Sequence, residues 1–288
     1  MSGADHLLSL LRWQIEAGAD EAIAETPVDR RSPPRSAETA TIEKVATAPA
    51  PPAAPSRSPA PPAAAAAELP GIPAAASATS GAHHNAYTLA AAAQTLGELR
   101  AALEAFDECA LKHTATNMVL ADGNPEAAVV LIGEAPGAEE DRLGLPFVGK
   151  AGRLLDRMLA AIGRDRGSAY ITNILFWRPP GNRQPTAAEI AACLPFVERH
   201  IELLSPEVLV FLGGTAAKTL LARNEGIMRL RGRWFEYSSP GLARPVAAMA
   251  TFHPAYLLRS PGQKRAAWQD LLDIKAKLEA LAQSHGAH

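Results

Sequence analysis

Four short apolar segments punctuate the chain: AVVLI at 128–132, AYITNIL at 169–175, EVLVFLG at 207–213 and VAAMATF at 246–252, each bounded by glycine, proline or polar residues. Runs of this length between turn formers predict strands buried on both faces. Stretches with apolar residues at helical spacing occupy 149–162, 186–204 and 214–223, and a last one runs from about 263 to 283. Strand and helix in alternation predict an α/β fold, a three-layer αβα sandwich with a central four-stranded, mostly parallel sheet.

Upstream, the pattern changes twice. TLAAAAQTLGELRAALEAFD reads as one helix leading into Cys109. Residues 5–24 place Leu7, Leu8, Leu11, Ile15 and Ala19 near one helical face, a short amphipathic helix able to dock a protein partner by that face. Between them, from Pro27 to about His84, the chain is proline, alanine and serine with almost no aromatics, too little apolar surface to offset the entropy of ordering. The expected organisation is a helix in 1–26, a disordered linker over 27–84, and a catalytic domain over 85–288 for which residues 1–84 are dispensable.

Composition narrows the class. Hydrophobic residues make up 48% and charged residues 20% of the 288 positions, as in an ordinary globular protein. No apolar run reaches the ~20 residues of a membrane span, and the first residues lack the pattern of a secretory signal. A cytoplasmic protein, monomeric and free of membrane, is expected. The net charge of −2 excludes indiscriminate binding of polyanions and leaves room only for a local basic patch. Two cysteines, Cys109 and Cys193, are too few for a disulfide framework or a four-thiolate metal site.

In open parallel sheets, ligands bind beyond the carboxyl ends of the strands. GEAPG follows the first expected strand, Asn173 lies near the end of the second, and His253 directly follows the fourth. The stretch GEAPGAEEDRLGLPFVGKAGRLLDRML at 133–159 is a glycine- and proline-rich turn running into a helix. A phosphate loop would have that outline, but neither a Walker Lys-Ser/Thr nor a GxGxxG spacing is present.

That stretch instead resembles the first motif of family 4 uracil-DNA glycosylases. YITNILFWRPPGNRQPTAAEIAACLPF at 170–196 resembles the family's second block and FHPAYLLRSP at 252–261 its third, so the likeness covers roughly residues 100–280. It implies removal of uracil from DNA to leave an abasic site, as in base excision repair, with uracil-containing DNA as the partner. By the same likeness Asn173 reads the base edge, Phe147 stacks on the extruded uracil, and His253 donates to uracil O2 as charge builds there. Glu134 is the candidate for handling water, with Glu139, Glu140 and Asp141 as competitors that read equally well as helix-start acids. Gly133, Ala135 and Gly137 line the uracil site. Gly137 stands where family 1 enzymes carry the tyrosine that excludes thymine, so that discrimination has to arise elsewhere in the pocket. Leu257 or Leu258 is the wedge that fills the vacated stack, and Arg178, Arg183, Arg259, Lys264 and Arg265 are the phosphate contacts.

The likeness breaks at the cysteines. Family 4 enzymes hold a [4Fe–4S] cluster on four cysteines, and the matching positions here are Phe106, Cys109, Trp177 and Cys193. Two thiolates cannot satisfy such a cluster, so no cofactor is expected, with Phe106 and Trp177 packed in its place. Two rival readings stand beside the glycosylase: a non-catalytic DNA-binding module of the same fold, and a glycosylase for another damaged base such as hypoxanthine.

Overall fold

The computed structural model describes residues 85–285. The helix expected in 1–26 and the linker expected over 27–84 lie outside the described residues. Within them, the four apolar segments form strands β2 (Val129–Gly133), β3 (Tyr170–Asn173), β4 (Val208–Leu212) and β6 (Val246–Thr251), paired in parallel in the order β3-β2-β4-β6. The sheet has six strands rather than the expected four. β1 (Ala121–Gly123) and β5 (Trp234–Tyr237) add antiparallel edges beside β3 and β6.

Alternation along the strands sorts the side chains into two cores. Val129 and Leu131 of β2, with Val208 and Val210 of β4, face Leu155 and Leu159 of helix Lys150–Ala161 and Leu271, Ile274 and Leu278 of helix Lys264–His285. Val130 and Ile132, with Leu209 and Phe211, face Phe196, Val197 and Ile201 of helix Ala187–Leu204 and Ala216 and Ala217 of helix Gly214–Leu221. This is the three-layer sandwich. Helix Ala187–Leu204 starts on a capping box in which Thr186 Oγ1 accepts from Glu189 N at 3.2 Å and Glu189 Oε2 accepts from Thr186 N at 2.8 Å.

The single helix expected around 88–107 is two, one over 85–92 and a second from Leu96 to Ala105. Thr95 ends the run of alanines by capping the second helix, its hydroxyl accepting from Glu98 N at 3.1 Å. No helix among the described residues is long and apolar enough to cross a membrane.

Candidate active site

A cavity of about 480 Å³ opens beyond the carboxyl ends of the parallel strands, with Glu134, Phe147, Asn173, Gly213, His253 and Arg259 in its wall. A second cavity, of about 430 Å³, lies at the amino ends of β4 and β6 among Trp234, Arg244 and Lys277, and holds none of the groups singled out in the sequence.

Gly133 and Asn173 are register partners at the ends of β2 and β3. Gly133 has to be glycine: a Cβ there would come within 2.4 Å of Asn173 Oδ1 and 2.6 Å of Phe147 Cζ. The Asn173 amide and the Phe147 ring therefore both crowd the end of β2. Asn173 is buried, and its Oδ1 has no hydrogen-bond partner among the described residues. Leaving a buried amide oxygen unpaired costs about 1–3 kcal/mol.

Phe147 holds a left-handed backbone, φ 54°, unusual for a residue with a large side chain. Two elements impose it. Arg166 donates to the Phe147 carbonyl at 2.5 Å and to the Pro146 carbonyl at 3.1 Å, while Asp122 and Asp156 fix the guanidinium at 2.6 and 2.9 Å. Gly152 lets helix Lys150–Ala161 lie directly on the loop, since a Cβ there would fall 1.6 Å from the Phe147 carbonyl oxygen. The Phe147 ring faces the His253 ring, with centroids 5.5 Å apart and planes inclined by 30°.

His253 caps helix Pro254–Arg259, its Nδ1 accepting from Ala255 N at 3.1 Å. That bond puts the proton of the neutral ring on Nε2, leaving Nε2–H as the donor. Burial first, and the Arg259 charge second, push the imidazole pKa down to about 4, so the ring is neutral at physiological pH. The turn before it is braced by Asp270, fully buried, which accepts from Thr251 Oγ1 at 2.6 Å and from Arg231 Nε at 3.1 Å. A second bond joins Arg231 Nη2 to Asp270 Oδ1, and the guanidinium lies 5.3 Å over the Phe252 ring.

Glu134 Oε2 accepts from Thr215 Oγ1 at 2.5 Å, across from the loop that follows β4. The three competing acids are used structurally. Glu140 accepts from Val148 N and Gly149 N at 3.0 and 2.9 Å and from Gly137 N at 3.2 Å, Asp141 accepts from Thr116 N and Asn117 N at 2.8 and 3.1 Å, and Glu139 pairs with exposed Arg142. Ala135 and Gly137 line the cavity beside Glu134.

Of the two leucines proposed as wedge, Leu257 is 1% exposed and packed in the core with Phe252, which removes it from contact with DNA. Leu258 is 40% exposed. Arg259, Lys264 and Arg265 are exposed beyond it. On the Pro-rich loop, Arg178 donates to Asn182 Oδ1 at 2.7 Å. Arg183 is held in a two-pronged pair with Glu189 at 2.5 and 2.9 Å, and this pair holds the Glu189 carboxyl down to about 2. The loop after β4, Gly213 to Thr215, was missed in the sequence because GGTAA carries no titratable group. Its signal was position alone, immediately after a strand.

The uracil DNA glycosylase superfamily model matches residues 120–272, more than half of the chain. The chain belongs to this superfamily. It is 42% identical over 158 residues to a type-4 uracil-DNA glycosylase of Archaeoglobus fulgidus, covering 54% of this chain and 78% of that one. A type-4 uracil-DNA glycosylase of Pyrobaculum aerophilum is 37% identical over 180 residues, 61% of this chain and 91% of the relative. One from Thermotoga maritima is 41% identical over 153 residues, 53% and 77%.

Within that superfamily, the donor set at the four cysteine-equivalent positions does not suit an iron–sulfur cluster. All four side chains lie in one buried apolar cluster. Cys193 Sγ donates to Cys109 Sγ at 3.9 Å, a bond that pushes the Cys193 thiol up, with burial acting the same way, and the Cys109 thiol down. Phe106 packs on Phe196 with ring centroids 5.0 Å apart, and Trp177 packs edge-on against Phe176 at 6.3 Å. Neither supplies a lone pair to a metal.

Proposed function

We propose that the protein is a monofunctional uracil-DNA glycosylase that cleaves the N-glycosidic bond of uracil in DNA and leaves an abasic site for base excision repair. The observation that carries this reading is the unpartnered, buried Oδ1 of Asn173, set against the Phe147 ring and facing the same cavity as His253. An amide that accepts from N3–H and donates to O4 matches uracil and opposes cytosine, whose N3 is an acceptor and whose 4-amino group is a donor. The type-4 relatives, which are uracil-DNA glycosylases, agree with that specificity.

The base leaves with the electron pair of the N1–C1′ bond, and the charge spreads onto O2. His253 Nε2–H, on a ring kept neutral, donates to that oxygen without having to give up a proton. Glu134 orients the water whose oxygen bonds to C1′ and accepts its proton. Phe147 stacks on the extruded base, Gly133, Ala135 and Gly137 shape the wall, and Leu258 fills the gap left in the duplex. Arg259, Lys264, Arg265 and Arg178 face the backbone phosphates, with Arg183 held beside them by Glu189. A monomer acting in the cytoplasm is the form this reading expects. No iron–sulfur cluster takes part: aerobic or anaerobic preparations are expected to be colourless and to lack stoichiometric iron, and iron with sulfide at cluster stoichiometry would refute this.

The test of the activity is cleavage of single- and double-stranded oligonucleotides carrying uracil, hypoxanthine or a T·G mispair. Release from uracil substrates alone is expected. Asn173→Ala and His253→Ala should each lower the single-turnover rate at least about tenfold, the equivalent of ~1.4 kcal/mol of transition-state stabilisation. Wild-type rates in both variants would overturn the assignment, and binding without cleavage by the unaltered protein would favour the non-catalytic module.

A further inference from the structure

Thr215 sits in the second position of helix Gly214–Leu221, in a loop that enters none of the resemblance motifs. The cap of this helix is Gly213, which makes no side-chain capping bond, and Thr215 lies two residues past the cap position where hydroxyls usually serve a helix start. The Thr215 hydroxyl instead donates to Glu134 Oε2, 81 residues away in sequence, at 2.5 Å. Gly213, φ +99°, makes that reach possible, because a Cβ at this position would press on His253 Cβ at 3.1 Å. The loop therefore lies against His253 and Glu134, two of the groups that the mechanism uses.

We infer that Thr215 is a positioning residue for the reaction: its hydroxyl fixes Glu134 in one rotamer by occupying Oε2, so that Oε1 is the oxygen presented to the water. This rests on the assignment of Glu134 to water handling. A glutamate side chain has three rotatable bonds, and its backbone is already pinned, with Leu175 N donating to the Glu134 carbonyl at 3.1 Å. Thr215 is the only hydrogen-bond partner of the Glu134 carboxylate among the described residues. Without it the carboxylate samples orientations that do not face C1′, which lowers the fraction of competent complexes and leaves the affinity for uracil DNA unchanged.

A double-mutant cycle separates this from a structural role. The variants are Thr215→Val, which keeps the shape and removes the donor, Thr215→Ser, which keeps the donor, Glu134→Gln, and Thr215→Val combined with Glu134→Gln. Each is assayed by single-turnover cleavage and by binding to a uracil-containing oligonucleotide. Thr215→Val is expected to slow cleavage about tenfold with binding unchanged, Thr215→Ser to restore most of the rate, and Thr215→Val to add nothing in the Glu134→Gln background. Impaired Glu134→Gln with a wild-type rate in Thr215→Val, or the same tenfold loss in both backgrounds, overturns the role of Thr215 alone. A wild-type rate in Glu134→Gln overturns the assignment of Glu134 and this inference with it.

Discussion

At the scale of single residues, the site is governed by what each side chain is denied. His253 is denied a proton: its pKa near 4 means that lowering the pH from 7 to 5 leaves it a neutral donor. The cleavage rate should accordingly show no loss through a group titrating near 6.5 in that range, which a pH profile of single-turnover rates checks. Gly133 is denied a side chain. Gly133→Ala would drive a methyl into Asn173 and Phe147 at once, and is expected to reduce cleavage by at least about tenfold while the fold, read by circular dichroism, persists. Most of these residues were legible in the sequence because polar groups directly after buried strands stand out. Thr215 and Asp270 were not: one is an unremarkable hydroxyl, the other looks like any charged position on a terminal helix. Only the folded chain brings Asp270 under Thr251 and Arg231.

Elements decide how those residues are presented. Helix Pro254–Arg259 turns Leu257 inward and Leu258 outward, an outcome a run of two leucines leaves open until the helix phase is known. Leu257→Ala should cost about 2–5 kcal/mol of stability as a core truncation, measured by urea unfolding. Leu258→Ala should leave stability within about 0.5 kcal/mol and weaken cleavage of double-stranded substrate more than single-stranded. Asp270→Ala strips a buried partner from Arg231 and is expected to cost about 3–5 kcal/mol. The two edge strands show where pattern fails as a guide. β1 is three residues, Ala-Asp-Gly, with no apolar alternation, and β5 is exposed at two of its four residues, so both owe their pairing to an already formed neighbour.

For the whole molecule, pH acts through buried imidazoles. His200 is fully buried against the Tyr170 hydroxyl at 2.8 Å, and burial lowers its pKa to about 4, as for His253. Below about pH 6.5 the unfolded chain binds protons that the folded chain refuses until about pH 4, so stability falls as the pH drops through that window. Each group contributes a slope approaching about 1.4 kcal/mol per pH unit there, and neither contributes above it. Urea unfolding at pH 7, 6 and 5 measures the slope, and His200→Gln should remove one share of it. The parallel order β3-β2-β4-β6 carries one more consequence, for the time at which the site can be completed during synthesis. Glu134 leaves the ribosome long before His253, and β6 can add to β4 only after most of the chain has been made. A product that ends before β6 lacks His253 and the strand that holds it, so on the role proposed for His253 a stalled or truncated chain is expected to leave uracil in DNA uncleaved.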